Sequence, residues 1–234
     1  MEEYAYIRQN VEEVRAILEQ AAAAAGRIPP ALIAVTKSAS DDEVLALCAC
    51  GIDAIAENRA QCFCARRDLL AAHGYELPIH LIGSLQTNKV KYVARDAAMI
   101  QSLDSLRLAA EIERQAAKID RVIDVLIEVN SAGEEAKGGI LPEDVLPIHA
   151  ALTGGAYPHI AVRGLMTMGP VLAIEEGYRP YFRMVRGLFE QIASHGGFAG
   201  EPVLSMGMSD SFRVAAEEGA TVVRVGRRLF HKAQ

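Results

Sequence analysis

Short apolar runs alternate with longer segments of mixed polar and apolar residues along most of the chain. The run LIAVTK is typical, with four apolar residues followed by a threonine and a lysine. Strands of a parallel sheet are covered on both faces, so they show near-continuous runs of Val, Ile and Leu. The pattern predicts eight strands, at residues 32–37, 52–57, 79–84, 98–103, 124–130, 162–168, 202–207 and 221–226.

The segments between these runs have the periodicity of amphipathic helices. Residues 2–25 form one such helix, which ends at Gly26 before the helix-breaking sequence IPP. Four further helices are expected to begin near residues that can act as N-caps. These helices follow Ser40, Ser84, Asp104 and Ser209.

Eight strands with intervening helices predict an α/β fold, a single-domain (β/α)8 TIM-like barrel with an extra N-terminal helix. The barrel would span residues 1–234 as one domain, because no Pro/Ser-rich linker divides the chain. An open doubly wound sheet is the alternative, since strand order is not visible in a single sequence.

The composition of the chain argues against nucleic acid and membrane as binding partners. The net charge of -6 argues against a general nucleic-acid binder, and no apolar run reaches the length of a membrane span. The acidic start MEEYAYIRQN differs from a basic signal peptide, so we expect a cytoplasmic protein.

The two C-x-C pairs lack the spacing of a structural zinc site, and we interpret them as reduced packing thiols. They are Cys48, Cys50, Cys62 and Cys64.

Lys37 lies at the carboxyl end of the first predicted strand, where α/β folds bind their ligands. One interpretation is a rim lysine whose amine reaches water. The other is a Schiff-base lysine, because a desolvated amine loses its proton more readily and attacks an aldehyde. The other predicted strand ends carry mostly neutral polar groups, without paired carboxylates or a metal-ligand cluster. We therefore predict no metal site.

The segment SMGMSDSFRVAAEEG predicts an anion site beside Lys37. It places Ser209 and Ser211 near a helix start, where free backbone N–H groups attract an anion. The next strand ends in RVGRR, and Gly226 would allow close backbone approach to the same anion. Loops after the last two strands of a TIM barrel frequently bind phosphate. A phosphate-bearing aldehyde would bridge this site and Lys37.

Arg224 interrupts the last apolar strand. It is either a structural arginine paired with a carboxylate or a hydrogen-bond donor to a ligand. Beside a pyridine nitrogen its permanent charge would keep that nitrogen unprotonated.

Several motifs lie along nearly the whole chain. They are LIAVTK, AEN at 56–58, HLIGSLQTNKVKYV at 80–93, VLIEVNSAGEEAKGG at 125–139, VRGLMTM at 162–168 and LSMGMSDSFRVAAEEGATVVRVG at 204–226. In these motifs the chain resembles the pyridoxal phosphate homeostasis proteins. The resemblance implies an alanine-racemase-like barrel that holds pyridoxal 5'-phosphate as an aldimine on Lys37. It also implies phosphate contacts from Ser205 or Ser209 and from Gly226 and Arg227, ring support from Asn58, and Arg224 at the pyridine nitrogen.

Three residues depart from the family pattern. Arg59 stands where a Tyr is common, Arg227 where a small or hydroxyl residue is usual, and His231 where a glycine is usual. Arg227 would either offer its backbone N–H to the phosphate or add a charge to it. The residue at position 227 therefore bears directly on the phosphate contacts that the resemblance implies.

The resemblance implies a non-catalytic protein of vitamin B6 and amino-acid homeostasis, with no dedicated catalytic residues. The alternative is a small racemase or lyase that uses the same cofactor, although racemisation needs two positioned acid/base groups. A cofactor-free Schiff-base aldolase is disfavoured, since the first strand offers no acid/base carboxylate or Tyr beside Lys37. Expected partners are pyridoxal 5'-phosphate and the apoenzymes that use it. The expected state is a monomer, with a weak dimer as the alternative.

Overall fold

Eight parallel strands close into one barrel in this computed structural model, which describes residues 2–134 and 138–232. Each strand pairs with its neighbours in sequence, and the last pairs with the first. The predicted TIM-like barrel is therefore confirmed, and the open sheet is excluded. The strands are β1 (Ala31–Val35), β2 (Ala54–Glu57), β3 (Ile79–Leu81), β4 (Met99–Leu103), β5 (Ile123–Val129), β6 (Ile160–Thr167), β7 (Val203–Ser205) and β8 (Val222–Val225).

Helices surround the barrel. The N-terminal helix α1 packs against both α2 and α8, so it occupies the place of a helix after β8. Within the described residues no helix follows β8, and the helix predicted as an addition completes the outer ring. The helices are α1 (Ala5–Ala24), α2 (Asp41–Cys48), α3 (Ala60–Ala72), α4 (Val90–Val93), α5 (Leu106–Lys118), α6 (Val145–Thr153), α7 (Arg179–Ala193) and α8 (Phe212–Glu217).

Local signals predicted some helix starts well and others poorly. Ser40 forms a full capping box with Glu43 at the start of α2. The helix expected after Ser84 is instead a 3₁₀ turn at Thr87–Lys89 followed by the four-residue α4. Helix α8 begins at Phe212, later than predicted, because the Ser211 hydroxyl accepts a hydrogen bond from the Met208 N–H and closes a turn there.

The barrel interior has apolar residues toward its base and polar residues above them. Two small apolar clusters fill the base, one around Ile33 and Ala54 and the other around Met99 and Leu126. Successive inward positions on a barrel strand are two residues apart, so the next level toward the carboxyl ends contains polar side chains. This interior polar layer consists of His80, Gln101, Glu128, Ser205 and Arg224.

The main apolar core lies between the barrel and its helices. It contains residues from every strand and from most of the helices, including Ile7 of α1 and Phe182 of α7. The core holds the strands in register and fixes the positions of their carboxyl ends. Residues 135–137, within the 125–139 motif, lie outside the described residues.

Candidate functional site

A cavity of about 420 Å³ opens at the carboxyl ends of the strands. Val35 and Ile82 provide apolar wall, and Gly83 and Met208 close further sides. The cavity brings together six of the seven residues that the sequence indicated for a ligand. They are Lys37, Asn58, Ser209, Arg224, Gly226 and Arg227.

Lys37 is exposed toward this cavity on the short loop after β1. Within the described part of the chain, no residue forms a hydrogen bond or an ion pair with its amine. A free amine at this position is available to react with a ligand that enters the cavity. Both interpretations of Lys37 stay predictions. Its exposure agrees with a rim lysine, and its place in the cavity lining agrees with a Schiff-base lysine.

A buried anchor fixes the backbone on either side of Lys37. The Thr36 hydroxyl donates to Glu57 Oε1 at 2.6 Å, and Arg66 Nε of α3 donates to the same oxygen at 3.2 Å. Arg66 also donates to the carbonyls of Thr36 and Ala39, which flank Lys37 in the chain. Glu57 is fully buried. We call Thr36, Glu57 and Arg66 the Glu57 anchor; sequence analysis did not predict it.

Asn58 enters the cavity wall directly after this anchor. Its backbone lies so close to Gly83 that any side chain at position 83 would collide with it. The Ser102 hydroxyl donates to the Gly83 carbonyl at 2.7 Å and holds that loop in place. Gly83 lies within the HLIGS sequence, and a glycine directly after a strand was the available signal for this close approach.

Ser209 and Gly226 form a hydrogen-bonded pair in the cavity lining, beside the end of β1. The Gly226 N–H points at Ser209 Oγ, 3.4 Å away. A Cβ on residue 226 would lie 3.1 Å from the Val35 carbonyl oxygen, so a larger residue there would have to displace the β1 backbone by a few tenths of an ångström. Helix α8 has only six residues, so an anion in this cavity would depend on loop and strand-end N–H groups such as that of Gly226.

The three residues that depart from the family pattern lie in different parts of the structure. Arg227 lines the cavity, but its exposed guanidinium forms an ion pair with Asp210 at the rim. Arg59 precedes α3 and does not line the cavity. His231 contributes its carbonyl to Asn10 of α1 at 2.9 Å. Of the three, Arg227 is the one that belongs to the cavity lining.

Ser205 lies in the interior polar layer and does not line the cavity. Its hydroxyl accepts a hydrogen bond from Arg224 Nη1 at 2.6 Å and donates to Gln101 Oε1 at 2.7 Å. Ser209 is therefore the better placed of the two serines that were candidates for phosphate. Ser205 belongs to β7, and the register of that strand places its side chain one level below the cavity.

Arg224 forms the floor of the cavity and is only 2% exposed. Besides Ser205 it donates from Nη2 to the Thr167 carbonyl at 2.9 Å. Burial lowers the pKa of Arg224 to about 10, and the nearby Glu128 charge opposes that change. Within the described residues Arg224 hydrogen-bonds to Ser205 and Thr167 and forms no ion pair with a carboxylate, so the interpretation as a carboxylate-paired arginine is wrong, while its place in the cavity lining agrees with a donor to a ligand.

Two other groups of the layer have shifted pKa values. Burial raises the pKa of Glu128 to about 7, although the Arg224 charge acts in the opposite direction. Burial lowers the pKa of His80 to about 4, and His80 Nδ1 lies 2.8 Å from Gln101 Nε2. His80 thus has a hydrogen-bond partner inside the barrel and does not line the cavity.

Glu128→Gln should change how stability depends on pH in the ligand-free protein. Folding raises the pKa of the Glu128 carboxyl, so folding is favoured where this carboxyl is protonated. The stability that it contributes is complete below its unfolded pKa and is lost as pH rises through about 7. The variant stays neutral, so it should become more stable than the parent as pH rises from 5 to 8, by up to ~3 kcal/mol. Denaturant unfolding of both proteins across this pH range measures the difference in their free energies of unfolding. His80 is present in both proteins, so its own titration cancels in that difference. A stability difference that does not change with pH would contradict the raised pKa of Glu128.

Comparison with known proteins identifies the family. Residues 4–233 match the family described as "Alanine racemase, N-terminal domain". A pyridoxal phosphate homeostasis protein of Aquifex aeolicus is 43% identical over 199 residues, covering 85% of each chain. The chain belongs to the pyridoxal phosphate homeostasis protein family. The Helicobacter pylori (strain ATCC 700392 / 26695) member of this family is 35% identical over 229 residues, covering 95% of this chain and 97% of that one.

Solved structures agree with this family and fold. A protein of unknown function from Bifidobacterium adolescentis has a TM-score of 0.87 at 34% identity, covering 97% of this chain and 95% of that one. PipY of Synechococcus elongatus, solved with PLP bound, has a TM-score of 0.81 at 26% identity, covering 96% and 100%. Alanine racemase from Corynebacterium glutamicum shares the fold alone, at 19% identity and a TM-score of 0.70, and this chain covers 60% of its length.

The remaining predictions concern thiols, metals and membranes. Cys48, Cys50, Cys62 and Cys64 are free and partly buried, and no disulfide links them. Across residues 2–134 and 138–232, no group of three or more His, Cys, Asp or Glu side chains could hold a metal ion. No helix in those ranges is long and apolar enough to cross a membrane.

Proposed function

We propose that this protein binds pyridoxal 5'-phosphate on Lys37 and acts in the homeostasis of that cofactor without dedicated turnover. The observation that carries the proposal is one cavity whose lining contains both Lys37 and the Ser209–Gly226 pair. Its family members are named for pyridoxal phosphate homeostasis, and its structural neighbour PipY binds PLP.

The residues of the cavity fit the chemical groups of this cofactor. Pyridoxal 5'-phosphate supplies an electrophilic aldehyde, a phosphate and a pyridine nitrogen. The Lys37 amine bonds the aldehyde carbon, and one water molecule leaves. The Gly226 N–H and the Ser209 hydroxyl donate to the phosphate, while Asn58 supports the ring. Arg224 donates to the pyridine nitrogen and, as a cation, disfavours its protonation.

The cavity lining favours a carrier over an enzyme. Racemisation requires one group to remove a proton and a second group on the other face to return one. Among the residues that the structure describes, the lining contains no His, Cys or Tyr, and its one carboxylate, Asp210, is paired with Arg227. Lys37 would therefore act without a second acid/base group. Since Lys37 is exposed at the mouth, transfer of the cofactor to apoenzymes in the cytoplasm is the proposed role.

Titration with pyridoxal 5'-phosphate tests the binding proposal. We expect a new absorption band in the near-visible range, one cofactor per chain, and its fixation on Lys37 by borohydride, located by peptide mass spectrometry. Failure to take up the cofactor would contradict the proposal.

Amino-acid turnover separates a carrier from the racemase or lyase alternative. Loaded protein is incubated with L-alanine and other L-amino acids, and the formation of D-isomers or keto acids is followed by chiral chromatography. We expect rates no higher than those of free cofactor at the same concentration. A Lys37-dependent rate above that level would establish an enzyme.

A further inference from the structure

A chain of hydrogen bonds crosses the barrel directly beneath the candidate cofactor cavity. Arg224 Nη1 donates to Ser205 Oγ at 2.6 Å, and Ser205 Oγ donates to Gln101 Oε1 at 2.7 Å. Gln101 Nε2 lies 2.8 Å from His80 Nδ1. The chain connects β8, β7, β4 and β3, although β7 and β4 are not neighbours in the sheet. It therefore passes through the barrel interior.

The protonation states give this chain one direction. Ser205 accepts from a guanidinium that carries only donors, so its own proton points to Gln101 Oε1. The Gln101 amide then presents its N–H to His80, and His80 Nδ1 must accept it. Burial lowers the pKa of His80 to about 4, which keeps this histidine neutral at physiological pH and able to accept. Every donor in the chain points away from Arg224.

Burial makes the chain rigid. Gln101 and Ser205 are fully buried, and Arg224 is 2% exposed. A buried polar group that loses its partner leaves another group unsatisfied, so each member restricts the next. The Thr167 carbonyl, 2.9 Å from Arg224 Nη2, fixes the second branch of the guanidinium. Both terminal nitrogens of Arg224 therefore have a buried partner.

We propose that Ser205 and Gln101 are positioning residues, which hold the Arg224 guanidinium as a fixed N–H donor to the pyridine nitrogen of the bound cofactor. The inference rests on the proposed function and goes beyond it, since neither residue touches the cofactor. Its consequence is that residues on β4 and β7 control the hydrogen bond at the ring nitrogen from one level below the cavity.

The ring nitrogen itself provides the readout. Pyridoxal 5'-phosphate labelled with ¹⁵N in the ring is bound to the parent, to Ser205→Ala and to Gln101→Met, and the ¹⁵N chemical shift is recorded with the absorption maximum. We expect both variants to move the ¹⁵N shift and the band. Affinity should fall about two- to tenfold, the effect of one lost hydrogen bond. Ser205→Thr keeps the hydroxyl and should restore the parent shift.

A matched control separates positioning from a general loss of strand contacts. Thr221→Val removes a hydrogen bond between β7 and β8, in which Thr221 Oγ1 accepts from the Leu204 N–H at 2.8 Å, without touching the chain. It should leave the ¹⁵N shift unchanged. If Ser205→Ala and Gln101→Met both load on Lys37 with the parent ¹⁵N shift, the positioning role is wrong. If the parent takes up no cofactor, the proposed function fails and this inference fails with it.

Discussion

Lys37→Ala should abolish the covalent attachment of pyridoxal 5'-phosphate while leaving weak, reversible binding. The variant keeps the Ser209–Gly226 pair and Arg224, so phosphate and ring contacts remain. We expect loss of the near-visible band, no fixation by borohydride, and affinity lower by one to two orders of magnitude, or about 1.4 kcal/mol for each factor of ten. Equilibrium dialysis and the absorption spectrum measure both parts.

Two further variants isolate the covalent part of this effect. Lys37→Arg keeps the positive charge that attracts the phosphate but cannot form the bond, so it should resemble Lys37→Ala in its spectrum and bind more tightly. Lys89→Ala removes a lysine outside the cavity, beside the Tyr92 ring, and should behave as the parent. Tight binding with an intact band in Lys37→Ala would mean that another amine holds the cofactor.

Arg66→Ala should cause the largest loss of stability among the substitutions considered, although it lies outside the cavity. Glu57 is fully buried and depends on Arg66 and Thr36 for its partners. Removing one member of a buried ion pair costs about 3–5 kcal/mol, because the remaining charge has no compensation. Since Arg66 also binds the carbonyls on both sides of Lys37, loading with cofactor should weaken as well. Denaturant unfolding and cofactor titration measure the two effects.

Arg67 provides the control for this prediction. It follows Arg66 in α3, but it pairs with Asp68 and Asp96 at the surface and its side chain is 37% exposed. Exposed pairs of this kind contribute about 0–1 kcal/mol, so Arg67→Ala should be nearly neutral. If Arg66→Ala does not fold, Arg66→Lys keeps the charge and should give an intermediate loss. Equal stability of the Arg66 and Arg67 variants would show that the Glu57 anchor is not needed.

The strands and the residues at their ends were predictable, because burial on both faces leaves a clear apolar pattern. Lys37 and Gly226 could be assigned to one site, since parallel strands of a barrel end at the same rim. The phosphate role of Ser205 depended on knowing its level within the barrel. That level follows from strand register, which periodicity does not reveal.

Contacts across the barrel were beyond the reach of the sequence. Ser205 and Gln101 are 104 positions apart, and nothing local indicates that their side chains meet. The Glu57 anchor was missed for the same reason, because Arg66 looks like any polar residue of an amphipathic helix. The short α4 and the late start of α8 reflect turns closed by loop contacts, which override helix propensity.

The position of α1 has a consequence for how the chain reaches its native state. The Asn10 side chain donates to the carbonyls of Leu229 and His231, contacts that span 219 and 221 positions. A growing polypeptide makes α1 among its first elements, yet that helix cannot bury its apolar face beside α8 until the last strand has been synthesised. Such distant contacts slow folding. The incomplete barrel would expose strand edges on the ribosome, so its final closure is the step at which chaperone binding and aggregation compete.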